Sequence, residues 1–212
     1  METKGREFKG LAAGSSYNKW AKLFGFTENF YRKGAGDKEY LKPVRILDLA
    51  CGSGSLTYAM AEKLAKGSEI YGIDISDDQL RYASRYAATY PCEITFKNCS
   101  IDELAFPDNY FDIVMTSMAL HETPPKVRRK AICETKRVLK QKGEFILVDW
   151  SKPKFGLWGI VWFPLVFFKK EAYKTDNWNN TYRDICEAIG LILTEDYYIN
   201  TIARRQVFVK EV

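Results

Sequence analysis

The stretch ILDLACGSGSL at residues 46–56 holds the residue types best placed for chemistry, because an apolar run leads directly into a loop of small residues. Gly52 and Gly54 allow a backbone to approach a ligand closely. A phosphate-binding P-loop requires a lysine after its glycines, and none follows here. A nucleophile elbow requires glycines two positions on either side of its serine, and Ser53 has neither. The dinucleotide fingerprint meets Thr57 where its third glycine belongs. The loop therefore indicates another kind of small-molecule site.

Two acidic residues narrow the choice of ligand. Asp74, in YGIDIS, lies twenty residues beyond Gly54 at the end of the next apolar run. An acid in this place accepts hydrogen bonds from ribose hydroxyls. Asp48 stands beside the glycine loop, and a carboxylate there suits an ammonium group better than a phosphate. S-adenosylmethionine carries both a ribose and an ammonium group, so these residues favour it as the ligand.

The elements that must position these residues alternate along the chain. Apolar and β-branched runs predict strands at 44–49, 69–75, 93–97, 111–117 and 144–150. Between them, apolar periodicity predicts helices at 55–66, 77–90 and 125–141. This alternation predicts an α/β fold with parallel βαβ units and a doubly wound sheet. A helix at 177–189 then precedes a closing β-hairpin, 191–199 and 203–210, which adds one antiparallel strand. Such sheets bind ligands at the carboxyl ends of their strands.

Four motifs in this order resemble those of class I S-adenosylmethionine-dependent methyltransferases, over roughly residues 40–150. ILDLACGSG resembles the glycine-rich first motif and YGIDIS the acidic second, while SIDELAFPDNYFDIV resembles the third and fourth. RVLKQKGEFILVDW resembles the last core strand with its lead-in. The resemblance implies a Rossmann-like, mostly parallel seven-stranded sheet in a single domain, 1–212. It also implies an N-terminal helical cap at 1–42 and an apolar, lid-like insertion at 151–176.

The resemblance also implies how the cofactor S-adenosylmethionine is bound. Ala50 stands where a glycine is common, and Ser100 with Ile101 replaces an Asp-Ala pair that often holds adenine. The Ser100 hydroxyl and the Ile101 backbone are then expected to hold the adenine. Asp74 could instead cap the next helix, although Ser76 is the better-placed cap. The implied cofactor-binding residues are Tyr17, Asp48, Ala50, Gly52, Gly54, Asp74, Ile75, Ser100, Ile101 and Ser117.

Tyr17 matches a tyrosine of an N-terminal segment that folds over the cofactor in related small-molecule methyltransferases. The alternative is a surface-helix aromatic side chain that packs on the core.

His121 is the single histidine of the chain and follows the fourth predicted strand. There it would face the methyl group, and imidazole suits a general base because it titrates near neutral pH. In the related family, however, a histidine at this point often only anchors the loop, so both roles stay open. Methyl transfer needs mainly alignment and a dry pocket, and no metal site is expected. Metal-assisted chemistry would want clustered carboxylates, and Glu122 stands alone near this loop.

Charge and cysteine content limit the partners and the compartment. Residues 126–142 hold eight basic residues and one acidic residue, which nucleic acid, an anionic membrane surface or simple solvation could each explain. Nucleic acid is not expected, because the [DN]-P-P-[YF] motif of amino-methylating base methylases is absent after the fourth strand. Five cysteines in no C-x-x-C pair, and a polar N-terminus without an apolar signal region, favour a reducing cytoplasm.

An uncharged aromatic stretch, residues 155–168, lies between two pairs of lysines. It is short for a bilayer span, so it suggests an interfacial membrane segment, a lid over a lipophilic acceptor, or a homodimer interface. Its position resembles the substrate lid of ubiquinone/menaquinone-type C-methyltransferases and small phospholipid N-methyltransferases. Phe155, Trp158 and Trp162 are the implied substrate-binding residues.

These observations predict a methyltransferase for a small lipophilic or amphipathic acceptor, a quinone-like ring or a phospholipid headgroup. The expected location is cytoplasmic, with peripheral contact to an anionic membrane as an option. Two alternatives stay open. One is a methyltransferase of a polar metabolite or macromolecule that uses the apolar stretch for dimerisation, and the other is a catalytically silent cofactor-binding protein.

Overall fold

A computed structural model describes residues 22, 25–152 and 181–211 of the chain. The strands in these residues are β1 (Arg45–Leu49), β2 (Glu69–Asp74), β3 (Glu93–Asn98), β4 (Phe111–Ser117), β5 (Leu139–Trp150), β6 (Leu191–Tyr198) and β7 (Ala203–Lys210). The α-helices are α1 (Glu28–Ala35), α2 (Ser55–Ala61), α3 (Asp77–Ala83), α4 (Pro125–Val138) and α5 (Thr181–Glu187). Two 3₁₀ turns, Ser84–Thr89 and Leu120–Glu122, complete the set.

The seven strands form one sheet in the order β3-β2-β1-β4-β5-β7-β6. The first five are parallel to one another, and β7 is antiparallel to both β5 and β6. The predicted α/β, doubly wound sheet with one antiparallel strand is therefore confirmed. The winding direction reverses between β1 and β4, and this reversal opens a crevice at the carboxyl ends of these strands.

Apolar side chains cover both faces of the sheet, which explains why its central strands are almost continuously apolar. Along β1, Ile46 belongs to one core cluster and Leu47 to the other, because successive side chains of a strand point to opposite faces. The neighbouring strand β4 alternates in the same way, with Met115 in the cluster of Ile46 and Val114 in the cluster of Leu47. The two cores fix the register of β1 against β4, and so the place where both strands end.

Three predicted helices end three or more residues earlier in the structure than the sequence indicates, and the predicted helix 177–189 ends two residues early, at Glu187. α2 ends at Ala61 rather than at 66, because the backbone of Tyr40 pairs with residues 63–65: its N–H donates to Lys63 and its carbonyl accepts from Ala65, each at 2.9 Å. The predicted helix 77–90 divides into α3 and a 3₁₀ turn.

The third difference lies between α4 and β5. The predicted helix 125–141 ends at Val138, and β5 begins at Leu139 rather than at 144. Leu139 is extended (φ −67°, ψ 136°) and pairs with Phe111, while the Tyr110 N–H donates to the Val138 carbonyl at 2.8 Å. Pairing between distant segments thus overrides the local helical pattern.

Helix α1 is the described part of the predicted N-terminal cap. The buried Arg205 of β7 holds it against the sheet, because its Nε–H donates to the Gly34 carbonyl at 3.0 Å. The Arg205 guanidinium also pairs with Glu195 of β6. The rest of the cap up to residue 21, and nearly all of the predicted lid 151–176, lie outside the described residues. The predicted start of the helix 177–189 lies outside them as well.

Candidate active site

The glycine loop turns the chain from the end of β1 into α2. Gly52 and Gly54 both have positive φ, 53° and 80°, which glycine adopts without strain. A Cβ on Gly54 would also lie 3.0 Å from the Tyr58 ring, so packing demands a glycine there. Around Gly52 the nearest atom to an added Cβ is the Gln79 amide nitrogen at 4.0 Å. Gly54 thus shapes the turn, while Gly52 leaves room in front of the backbone.

The backbone conformation at Ala50 explains why a glycine is common at this position in the related family. Its φ is 51°, in the left-handed region that costs residues with a Cβ about 1–2 kcal/mol. The loop therefore keeps the shape of the glycine-containing version and carries local strain at the floor of the cleft.

Asp74 ties the glycine loop to the end of β2. Its Oδ2 accepts from the Gly52 N–H at 2.8 Å, and its Oδ1 accepts from the Ser76 N–H at 2.9 Å. Ser76 itself caps α3, because its hydroxyl accepts from the Gln79 N–H at 3.4 Å. The capping role expected for Ser76 is thus seen. A carboxylate offers about four acceptor sites on its two oxygens.

Asp48 lies deeper, at the end of β1, with only 1% of its surface exposed. Burial is the main cause that raises the pKa of its carboxyl to about 7; the hydrogen bond from Thr57 opposes the rise, and the nearby charge of Asp74 adds to it. That bond, from the Thr57 hydroxyl to Oδ2, is 2.5 Å long. Thr57, the residue that breaks the dinucleotide fingerprint, is therefore the partner of a buried acid. The charge of Asp48 changes near neutral pH.

Two serines also line the cleft, Ser100 after β3 and Ser117 at the end of β4. The Ser100 hydroxyl donates to the Asp102 carboxylate, which leaves its oxygen lone pairs for a donor such as an adenine amine. The Ser117 hydroxyl, at the end of β4, is buried and has no hydrogen-bond partner among the described residues. An orphaned hydroxyl beside a cleft is costly, and a polar ligand would relieve that cost.

His121 lies in the turn after β4 and is held by β5. Its Nδ1 is 2.6 Å from Oδ1 of Asp149, and its backbone N–H donates to Oδ2 at 3.0 Å. Its Nε2 is 3.9 Å from the Glu122 carboxylate. The ring also packs against Trp150, with centroids 5.8 Å apart. A buried carboxylate thus fixes one edge of the imidazole.

The cleft at the strand ends brings together most of the predicted cofactor residues. Gly54 lies behind the turn and His121 beside the cleft, so neither is part of its lining. Tyr17, Phe155, Trp158 and Trp162 lie outside the described residues. The predicted residues that line the cleft are Asp48, Ala50, Gly52, Asp74, Ile75, Ser100, Ile101 and Ser117.

Comparison with known proteins gives a family match for the core of the sheet. Residues 46–143 match the family described as a methyltransferase domain. The chain is 34% identical over 128 residues to the demethylmenaquinone methyltransferase of Symbiobacterium thermophilum, an alignment that covers 59% of this chain and 50% of that protein. It is 31% identical over 129 residues to a ubiquinone/menaquinone biosynthesis C-methyltransferase of Paraburkholderia phymatum, covering 61% of this chain and 47% of that protein. The chain thus spans about half the length of these curated relatives.

Solved structures agree with the methyltransferase fold. A S-adenosylmethionine-dependent methyltransferase from Aquifex aeolicus has a TM-score of 0.67 at 17% identity, with 92% of this chain and 97% of that chain covered. The magnesium protoporphyrin IX methyltransferase of Synechocystis, solved with bound S-adenosylhomocysteine, has a TM-score of 0.68 at 18% identity, with 95% and 97% covered. At these identities the similarity establishes the fold.

Several residues of the candidate site were not predicted from the sequence. Tyr31 of α1, Gln79 of α3 and Glu122 of the turn after β4 all line the cleft. Each comes from an element whose approach to the site depends on tertiary packing, so no local pattern marks it. Asp149 did leave a signal, since it is an acid within the apolar run at the carboxyl end of β5.

A second cleft adjoins the first on its α2 side. It shares Tyr31, Ser53 and Ser55 with the cleft at the strand ends. The Arg32–Glu62 ion pair, 3.0 Å between Nε and Oε2, stands at its edge. The aromatic side chains that line it are Phe26, Tyr31, Tyr58, Tyr82, Tyr86 and Tyr90. This second cleft is therefore an aromatic surface next to the glycine loop.

Proposed function

We propose that the chain transfers a methyl group from S-adenosylmethionine to a small lipophilic or amphipathic acceptor, a quinone-like ring or a phospholipid headgroup. The observation that carries the proposal is the linkage of Asp74 to Gly52, which joins an acid at the end of β2 to the glycine loop after β1. This linkage lies in a cleft at the reversal point of the sheet, where α/β folds bind their ligands.

The described residues fit S-adenosylmethionine. Acceptor capacity on Asp74 suits the ribose hydroxyls, and the space in front of Gly52 suits the close approach of a methionine chain. Ile75 and Ile101 offer apolar contact to adenine, and the Ser100 oxygen offers an acceptor to its amine. Asp48 near Ala50 suits the ammonium group. Ser117 and Tyr17 complete the proposed cofactor residues, and Gly54 supports the turn.

When bound, S-adenosylmethionine supplies a methyl group activated by its sulfonium. The residues of the chain then have to align donor and acceptor and exclude water, which is worth roughly 7–11 kcal/mol of the barrier. His121, held beside the cleft by Asp149, is the proposed catalytic residue. Its neighbour Glu122 lines the cleft, so this turn faces the acceptor side.

The acceptor class rests on the relatives and on composition. Two relatives at 31–34% identity are named for quinone methylation. The aromatic stretch 155–168 follows β5, so Phe155, Trp158 and Trp162 are proposed to contact the acceptor. Peripheral contact with an anionic membrane and a homodimer are further proposals for the same stretch. Among the residues that the structure describes, no helix combines the length and apolar character that crossing a bilayer requires.

Turnover of labelled S-adenosylmethionine tests the proposed function. The protein is incubated separately with a prenylated naphthohydroquinone, phosphatidylethanolamine vesicles and a polar catechol, and labelled product is identified by mass. Methylation of one of the first two supports the proposal. Exclusive methylation of the catechol would favour a polar-metabolite enzyme, and binding without turnover of any acceptor would favour a silent cofactor-binding protein.

A further inference from the structure

We propose that Asp149 is a positioning residue that holds His121 with its proton on Nδ1, so that Nε2 receives a proton from a hydroxyl of the acceptor during methyl transfer. The inference rests on the proposed function. It narrows the acceptor to molecules whose nucleophile gains strength by losing a proton, such as a phenol, an enol or a hydroquinone.

The contacts of Asp149 determine the tautomer. Its side chain is 2% exposed, and Oδ1 lies 2.6 Å from His121 Nδ1. Oδ1 also accepts from the Trp150 N–H at 2.8 Å, and Oδ2 accepts from the His121 N–H at 3.0 Å. An ionised carboxylate only accepts hydrogen bonds, so the third partner, Nδ1, must be the donor. A neutral imidazole protonated on Nδ1 has its lone pair on Nε2.

Nε2, on the other edge of the ring, lies near a residue that lines the cleft. The Glu122 carboxylate, which lines the cleft, lies 3.9 Å from Nε2, beyond hydrogen-bond distance. The groups that face the imidazole in the described residues are Glu122 from its own turn, and Asp149 and the Trp150 ring from β5. The Nε2 atom is therefore bordered by an acid that favours the imidazolium formed on proton uptake.

The proposed step balances in atoms and charge. The oxygen of the acceptor hydroxyl, or the ring carbon conjugated to it, forms a bond to the methyl carbon as the carbon–sulfur bond breaks and its electron pair stays on sulfur. The hydroxyl proton moves to Nε2 and gives an imidazolium, which later releases it to solvent. In carbon methylation, the ring then loses the hydrogen of the methylated carbon to solvent and regains its hydroxyl proton. A tertiary amine or a thioether has no proton to give, so it would gain nothing from this base.

His121 is the single histidine, so nitrogen NMR of untagged protein labelled with ¹⁵N-histidine reports on it without ambiguity. The neutral imidazole of wild-type protein should carry its proton on Nδ1 and none on Nε2. Asp149→Asn, which keeps the shape but removes the charge, should weaken this tautomer preference, because an amide can present either its oxygen or its NH₂ group to Nδ1. Asp149→Ala should release the preference. Asp108→Asn, at an exposed carboxylate on Arg137, is the matched control and should leave the tautomer unchanged.

The pH profile of turnover separates base catalysis from loop anchoring. With a hydroquinone acceptor, kcat should fall about 10²-fold in His121→Ala and lose its near-neutral limb. In Asp149→Asn the pH profile of kcat should change together with the NMR tautomer signal, while KM for S-adenosylmethionine stays constant. Thermal unfolding verifies that each variant is folded.

Three results would overturn the inference: a wild-type histidine protonated on Nε2, an Asp149→Asn profile identical to that of wild type, or methyl transfer restricted to acceptors without an ionisable hydrogen. Absence of S-adenosylmethionine binding in calorimetry would instead contradict the proposed function, and it leaves the tautomer measurement readable.

Discussion

At the scale of single residues, two acids at the ends of neighbouring strands have different environments. Asp74 accepts two backbone N–H groups at the edge of the cleft, whereas Asp48 is buried and accepts the Thr57 hydroxyl. Burial raises the pKa of Asp48 to about 7, so an ammonium ligand and a proton compete for it. On the proposed binding mode, affinity for S-adenosylmethionine should therefore fall as the pH drops below about 7.

Asp48 should make the folded protein less stable as the pH rises from about 4 to 7. Its unfolded-state pKa is near 3.8 and its folded pKa is about 7, so the folded state holds the proton across this window while the unfolded state loses it. Asp48→Asn removes this linkage. In urea unfolding, the unfolding free energy of the variant minus that of wild type should rise by on the order of 3 kcal/mol between pH 4 and 7.5. A constant difference across that range would contradict the burial argument.

Ala50→Gly should stabilise the fold. The positive φ of Ala50 costs about 1–2 kcal/mol, which glycine would relieve. Glycine also increases the conformational entropy of the unfolded chain, and this increase offsets part of the stabilisation. Chemical denaturation should therefore show a gain of about 0.5–1 kcal/mol. Ala59→Gly, inside α2, is the matched control and should lose stability. Loss of stability in both variants would mean that the strain at Ala50 is small.

The sequence predicted Gly52 and Asp74 as site residues because their roles follow from local spacing after β1 and β2. It could not predict the partner of His121. The contact with Asp149 spans 28 residues and depends on the pairing of β4 with β5. Such a contact becomes visible only when the strand register is known.

At the scale of elements, α1 shows how a helix outside the matched domain serves the cleft. Arg205 of β7 anchors it through the Gly34 carbonyl, and α1 brings Tyr31 to the cleft. The strands were predicted well because each is a distinct apolar run. The ends of α2 and α4 were not, because competing backbone pairing at Tyr40 and at Leu139 decides them.

Arg205→Lys should loosen α1. A lysine cannot reproduce both the bond to Gly34 and the ion pair with Glu195, so unfolding free energy should fall by about 1–3 kcal/mol. Cofactor affinity should fall as well, because Tyr31 loses its support. Arg204→Lys is the control and should cost less, because the Arg204 side chain is 25% exposed whereas that of Arg205 is 6% exposed. Equal losses in the two variants would remove the special role of Arg205.

At the scale of the whole molecule, the sheet places the cofactor cleft at one edge, and β5 leads from that edge into the aromatic stretch 155–168. The position of this stretch along the chain could be recognised from composition alone. The acceptor molecule could not be predicted, because methyl transfer needs few acid–base residues and so leaves little trace of the acceptor in the sequence.

Replacement of Trp158 and Trp162 by serine should weaken binding to liposomes and leave cofactor affinity unchanged, because the proposed cofactor residues at the strand ends are not altered. Replacement of the four flanking lysines (Lys152, Lys154, Lys169 and Lys170) by glutamine should weaken binding to anionic vesicles by about 1 kcal/mol per lysine and spare neutral ones. Co-sedimentation measures both effects. A homodimer interface predicts the opposite pattern, in which the tryptophan variant becomes monomeric and the lysine variant is silent.

The most direct test of the central claim is calorimetric titration of S-adenosylmethionine into wild-type protein and into Asp74→Ala. Wild-type protein should bind one molecule per chain. The variant should lose about 100-fold or more in affinity, because two charge-assisted hydrogen bonds of roughly 1.5–3 kcal/mol each disappear. Asp74→Asn should bind with intermediate affinity, since an amide oxygen can still accept from the Gly52 N–H or from a ribose hydroxyl. Absence of binding to wild-type protein, or equal affinity in folded Asp74→Ala, would contradict the account.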